Sequence, residues 1–194
     1  MTAPFRLDAP SELVPGADRL RVFAAAVEAS GAVLHRVDAR GLPGCVVSIL
    51  NVHEARSISL ADDLAEHRQS ISEACRGERL VVAAYVDVAA DRERLAALDA
   101  CVTGCAAAVA ATGSTVTTSG AGRGSALVAP LHVCVVRADQ VVDGLADLFR
   151  VLRGLAPGSM VALQTGPSRS ADIEKVLVIG AHGPRVVEIV LVEK

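Results

Sequence analysis

The residues best suited to chemistry lie between Val161 and Val192, where the chain reads V-A-L-Q-T-G-P-S-R-S-A-D-I-E-K-V-L-V-I-G-A-H-G-P-R-V-V-E-I-V-L-V. Two turns, Gly166-Pro167 and Gly183-Pro184, each lead to an arginine, Arg169 and Arg185. Proline fixes φ and glycine permits positive φ, so both turns are tightly specified. Ser168-Arg169-Ser170 ahead of Ala171-Asp172-Ile173 reads as a helix start, where N–H groups without internal partners suit a phosphate or carboxylate. The same residues also read as plain structure, Ser170 as a cap, Asp172 as a complement to the helix dipole and Arg185 as a solvated turn residue. Capping needs no guanidinium, and Arg169 therefore points to a site. In that reading Gly166, Ser168 and Ser170 supply donors beside Arg169, while His182, Gly183 and Arg185 approach the same small anion from the second turn.

Further candidates lie upstream. Thr112-Gly113-Ser114 sits among small and β-branched residues, which let backbone approach a ligand closely and equally suit a tightly packed sheet. Gly120 to Ser125 contains Arg123, read either as a site arginine on a loop or as a solvated one; its glycines match neither the dinucleotide fingerprint nor a P-loop. His132 opens an apolar run and is either a hydrogen-bonded core histidine or a ligand contact. His53-Glu54 has no second ligand at matching spacing and reads as a solvated loop or helix start. Cys101 and Cys105 could share a helix face, but no iron–sulfur spacing is present, and the five cysteines read as small buried hydrophobes. No resident metal, flavin, haem or cluster is expected, and no nucleophile elbow appears.

The run T-G-P-S-R-S-A-D-I-E followed by V-L-V-I-G-A-H-G-P-R resembles the lactate-utilisation (LUD) domain family, with the likeness specific from about Cys101 onward. The resemblance implies an α/β fold like that of the glucosamine-phosphate isomerase, ribose-phosphate isomerase and CoA-transferase group. It also implies an accessory, small-anion-binding component of bacterial L-lactate oxidation, partnered by iron–sulfur subunits. A free-standing enzyme of that fold group, acting on a phosphorylated or CoA-linked substrate, is the alternative. The family commonly carries an acid before Thr-Gly, whereas this chain has Ala111. Carboxylate chemistry at that turn is weakened accordingly.

These residues must be held by an ordinary domain: 194 residues and a net charge of −3 fit one α/β unit with no basic stripe for nucleic acid. Residues 1–15 are expected to be a flexible arm without the features of a signal peptide, and 16–194 a single domain placed in the cytoplasm with no membrane span. Ala17 to Ser30 predicts an amphipathic helix stopped by Gly31. Val33 to Val37 and Cys45 to Leu50 read as strands joined by a turn at Gly41 to Gly44. Ser59 and Asp62 suggest a cap for a helix running from Leu60 to Gly77, with His67 facing solvent. Leu80 to Val88 reads as a strand followed by a short helix; Ala106 to Ala110 and Thr115 to Thr118 as a hairpin; Pro130 to Val136 as a central strand. Asp139 is expected to open a helix carrying Leu145, Leu148, Phe149 and Leu152. The expected fold is a mostly parallel sheet with flanking helices.

Overall fold

The computed structural model describes residues 18–118, 123–154, 160–171, 177–179 and 183–193. The 1–15 arm, His182 and the Asp172-Ile173 pair lie outside the described residues, as does most of the loop before Arg123.

Helix α1 (Arg19–Ser30) forms as its sequence predicts: the Asp18 carboxylate accepts the Leu20 and Arg21 N–H groups, Phe23 and Val27 are buried one turn apart, and Gly31 closes the helix at φ 86°. Strand β1 (Val33–Asp38) follows. The apolar run expected as a second strand is instead helix α2 (Leu42–Val52), with Pro43 in its first turn and Leu42, Val46, Ile49 and Leu50 buried at helical spacing. The Gly41 to Gly44 segment is therefore mostly helix rather than turn, consistent with a proline that tolerates only the first helical positions.

Strand β2 (Ser57–Leu60) takes Ser59 and Leu60 out of the expected helix, since pairing to strands on both sides outweighs the capping pattern. Helix α3 (His67–Gly77) starts after a short 3-10 turn at Asp62–Leu64, and His67 is half-buried rather than solvent-facing. Strand β3 (Val81–Ala84) stops early because Tyr85 begins the short helix α4 (Tyr85–Val88), followed by α5 (Arg92–Ala96).

Then come β4 (Ala100–Thr103), the hairpin β5 (Ala107–Val109) and β6 (Ser114–Thr118), α6 (Arg123–Val128) and β7 (Leu131–Arg137). Asp139 lies in a 3-10 turn and β8 (Val141–Val142) intervenes, so α7 (Leu145–Gly154) begins later than expected. Strands β9 (Val161–Gln164), β10 (Arg169–Ala171), β11 (Leu177–Ile179) and β12 (Val186–Glu193) complete the order. The helix start expected at Ser170 is a strand: Arg169 pairs antiparallel with Ile179 and Ala171 with Leu177, so the β-branched Val178-Ile179 segment captures it.

Among the described residues six strands form one parallel sheet in the order β1-β12-β7-β4-β2-β3, and β8-β5-β6-β9 form a second sheet. Helices α2 and α3 cover one face of the large sheet through Leu42, Val46, Leu50, Ile71 and Cys75. The other face packs against α1 and the inner side of the small sheet, with Phe23, Val27, Ala108, Cys134 and Ile189 in one cluster. The mostly parallel sheet with flanking helices is thus the architecture the sequence predicts. None of the described helices is long and apolar enough to cross a membrane.

Candidate functional site

The Thr112, Gly166 and Gly183 turns are fixed by how closely they approach other backbone. Gly113 has φ +68°, and a Cβ there would lie 2.6 Å from the Ala26 carbonyl carbon and the Val27 nitrogen of α1. Gly166 has φ +67°, and its Cβ would lie 2.5 Å from the Ser30 carbonyl oxygen. Both turns are therefore seated on the same helix, four residues apart, and glycine is required at each. Their side chains are linked: Ser114 Oγ lies 2.7 Å from Thr112 Oγ1 and 2.6 Å from Thr165 Oγ1.

The third turn joins through backbone. The Ser168 N–H donates to the Pro184 carbonyl at 2.9 Å, and a Cβ on Gly183, at φ +122°, would lie 3.2 Å from Ser168 Cβ. The Arg185 and Val186 N–H groups both donate to the Pro130 carbonyl, at 2.8 and 3.1 Å. Arg185 is exposed. Thus Thr112, Gly113, Ser114, Gly166, Ser168, Gly183 and Arg185 come together around α1 and the start of β7. For Arg123, Arg169 and Ser170 the described part is the backbone, at the start of α6 and in β10. The strand at Arg169 removes the helix N-terminus from the expected anion site and leaves the turns and arginines.

Alternation along the strands places a polar seam beside these turns. Val116 packs against Leu148 of α7, so Thr115 and Thr117 point the other way, toward the large sheet, as Ala108 opposite Thr115 does. Gln164 opposes Thr115 and shares its face. On β7, Leu131, Val133 and Val135 face α2 and α3, so His132 and Cys134 face the small sheet. His132 is fully buried and its Nε2 lies 2.8 Å from Thr103 Oγ1. The core reading of His132 therefore holds. Burial pushes its pKa down to about 4, which keeps the imidazole neutral. Its Nδ1, Thr117 Oγ1 and Gln164 Oε1 are all buried without a hydrogen-bond partner among the described residues. Gln164 Nε2 reaches the Ala126 carbonyl of α6 at 3.4 Å, which sets α6 as the far wall of the seam. Ala111 donates its N–H to the Asp143 carbonyl at 3.0 Å, and the Asp143 carboxylate is bound by Arg19.

Two clusters escape sequence reasoning. Glu188, 5% exposed on β12, accepts from His35 Nε2 at 2.7 Å and from His53 Nε2 at 2.8 Å, one histidine per carboxylate oxygen. The His53 of the supposed loop thus fastens the end of α2 to β1 and β12. The available signal was Glu188 itself, an acid at an inward position of the run V-V-E-I-V-L-V. Among the described residues no group of three such side chains is arranged to hold a metal ion. At the carboxyl ends of β2 and β4, Asp63 Oδ1 accepts the Gly104 N–H at 2.7 Å, and burial raises its pKa to about 6 against that hydrogen bond. A Cβ on Gly104 would lie 2.3 Å from the Asp63 carbonyl oxygen.

None of the five cysteines is in a disulfide. Cys101 belongs to a cluster with Ala126 and Ala129, whereas Cys105 packs near Cys134, so the pair shares no helix face. The Cys134 neighbour and burial together push the Cys105 thiol well above its ordinary range.

Comparison with known proteins extends these observations. A sequence profile described as "LUD domain" matches residues 20–192. A protein of Deinococcus radiodurans named "Lactate utilization protein C" is 36% identical over 98 residues, covering 48% of this chain and 46% of that protein. A protein of the same name from Exiguobacterium is 45% identical over 65 residues, 34% of this chain and 27% of its own length. The aligned part thus spans less than half of each relative. A crystal structure titled as a DUF162 family protein from Deinococcus radiodurans superposes with a TM-score of 0.64 at 23% identity, covering 91% of this chain and 99% of that one.

Proposed function

Because this chain belongs to the LUD domain family, we propose that it takes part in lactate utilisation as an accessory component that binds a small organic anion between the Thr112, Gly166 and Gly183 turns. The pathway is supported by relatives named "Lactate utilization protein C". Anion binding is supported above all by one observation: three turns distant in sequence meet on α1 and at Pro130, with Arg185 on the outermost. Arg169 follows Ser168 directly, so the Ser168 to Pro184 hydrogen bond brings the backbones that carry the two arginines side by side.

A small hydroxy acid or oxo acid suits this setting chemically. Its carboxylate would take charge-assisted hydrogen bonds from arginine, and its hydroxyl or keto oxygen would meet neutral hydroxyl and amide groups at the edge of the seam. With alanine at position 111, nothing on the hairpin turn offers a nucleophilic carboxylate, which favours binding over covalent catalysis. The iron–sulfur subunits implied by the family would then supply the electron acceptor.

Titration of the purified protein with L-lactate and pyruvate, followed by calorimetry, tests the reading. Arg169→Ala is expected to weaken binding by roughly ten- to a hundredfold, since a hydrogen bond to a charged group contributes about 1.5–3 kcal/mol. Equal affinity in wild type and variant, or no affinity for either acid, would remove the anion site. Deletion of the gene with undiminished growth on L-lactate would remove the pathway.

A further inference from the structure

A cavity of about 480 Å³ lies on the opposite side of the large sheet from the seam, between α3 and the outer strand β3. Ile71 and Cys75 turn one face of α3 into the core. Arg68, Ser72 and Arg76, spaced four residues apart, form a stripe on an adjoining face and make one wall of the cavity. The other wall is apolar: Leu60, the last residue of β2, with Val82 and Ala84 of β3. The cavity therefore begins at the carboxyl ends of two neighbouring parallel strands, where open α/β sheets receive ligands, and runs along the sheet edge. Its volume lies in the range of small-molecule sites.

Two independent features mark the wall as more than a solvated helix face. Arg68 Nε is buried and has no hydrogen-bond partner among the described residues, although the far end of the same guanidinium reaches Asp62 at 3.5 Å. A donor left open in this way is satisfied when an acceptor arrives. Ala65, also on the wall, has φ +49°, a strained value for a residue with a Cβ, and such strain concentrates at ligand sites. The one carboxylate on the lining, Glu73, is engaged by Gln69 Nε2 at 2.9 Å.

From this wall we infer that the α3–β3 cavity is a second binding site, separate from the turns around α1, for an organic anion with a carboxylate or phosphate head and a short apolar body. The head lies against Arg68 and Arg76, where a guanidinium fork matches either group. The body covers Leu60, Val82 and Ala84. Glu73 opposes the ligand and tunes its affinity downward.

Hexanoate and butyl phosphate, each titrated by calorimetry against the full chain with inorganic phosphate and butanol as references, test the site and distinguish the two heads. At least one of the two probes is expected to bind at least tenfold more tightly than either reference. Arg68→Ala and Arg76→Ala should each weaken that probe at least tenfold, Glu73→Gln should tighten it several-fold, and Arg169→Ala should leave it unchanged. Arg68→Lys and Arg76→Lys, which keep charge but lose the fork, serve if an alanine variant fails to fold, and an intermediate loss is expected of them. Loss of binding in Arg169→Ala with retention in the α3 variants would assign the probe to the turns and overturn the second site. So would indifference to both arginines, or failure of both probes to outbind the references.

Discussion

Asp63 and His132 titrate over the same pH range with opposite effects on stability, and Asp63→Asn separates them. The His132 pKa falls from 6.5 to about 4 in the folded protein, so between those values the unfolded chain holds more protons and stability drops as pH falls. The Asp63 pKa rises from 3.8 to about 6, so across that window the folded chain holds more protons and stability increases as pH falls. At about 1.4 kcal/mol per pH unit each effect amounts to about 3 kcal/mol, an upper figure for Asp63, which keeps some solvent contact. In the wild type the two largely offset each other between pH 6 and 4. Asparagine keeps an acceptor for the Gly104 N–H and removes the titration. The variant should therefore exceed wild type by up to about 3 kcal/mol at pH 7, an advantage that vanishes by pH 4. Urea unfolding followed by circular dichroism at half-unit pH steps measures the difference, and all other groups cancel in it. Parallel stability curves for the two proteins would refute the argument that burial holds Asp63 above its usual range.

The remaining expectations concern packing and hydrogen bonding. His53→Ala leaves one oxygen of the buried Glu188 without its donor and should cost about 1–3 kcal/mol in urea unfolding, with a smaller further loss on adding Glu188→Gln because the pair is then already broken. Gly113→Ala drives a Cβ into the α1 backbone at a positive φ and should cost about 2–4 kcal/mol, read as a lowered melting temperature. By contrast Gly44→Ala meets nothing within 4 Å inside α2 and should stabilise by about 0.5–1 kcal/mol.

Local chemistry decided which elements were legible in the sequence. Helix α1 was readable because a cap, a buried stripe and a Gly stop agree, and the β5–β6 hairpin because its turn residues and β-branched strands agree. Cys45 to Leu50 was misread because a short apolar run fits a buried strand or helix equally, and only Pro43 and the extension to Val52 distinguish them. Ser59 looked like a cap because Asp62 follows it at capping spacing, yet Ser59 is buried between two partner strands. Arg169 to Ala171 has the residues of a helix start, and its strand is imposed by a partner six to ten residues away in sequence. Among site residues, the turn glycines were legible as special backbone. That their close neighbour is α1 was not, since nothing in either turn encodes the helix it meets.

The position of β12 bears on how the chain reaches its fold. It lies between β1 and β7, and its pairing of Glu188 with Val33 joins the two ends of the described chain. Until that segment leaves the ribosome, β1 has no partner among the described strands and β7 has an open edge. Both are then unpaired strand edges of the kind that invite association between nascent chains. Pairing over so long a separation also implies slow closure of the sheet relative to its early helices. A pause in synthesis before Val186 would therefore hold the protein with both edges open, and release of β12 would be the event that commits it to the native sheet.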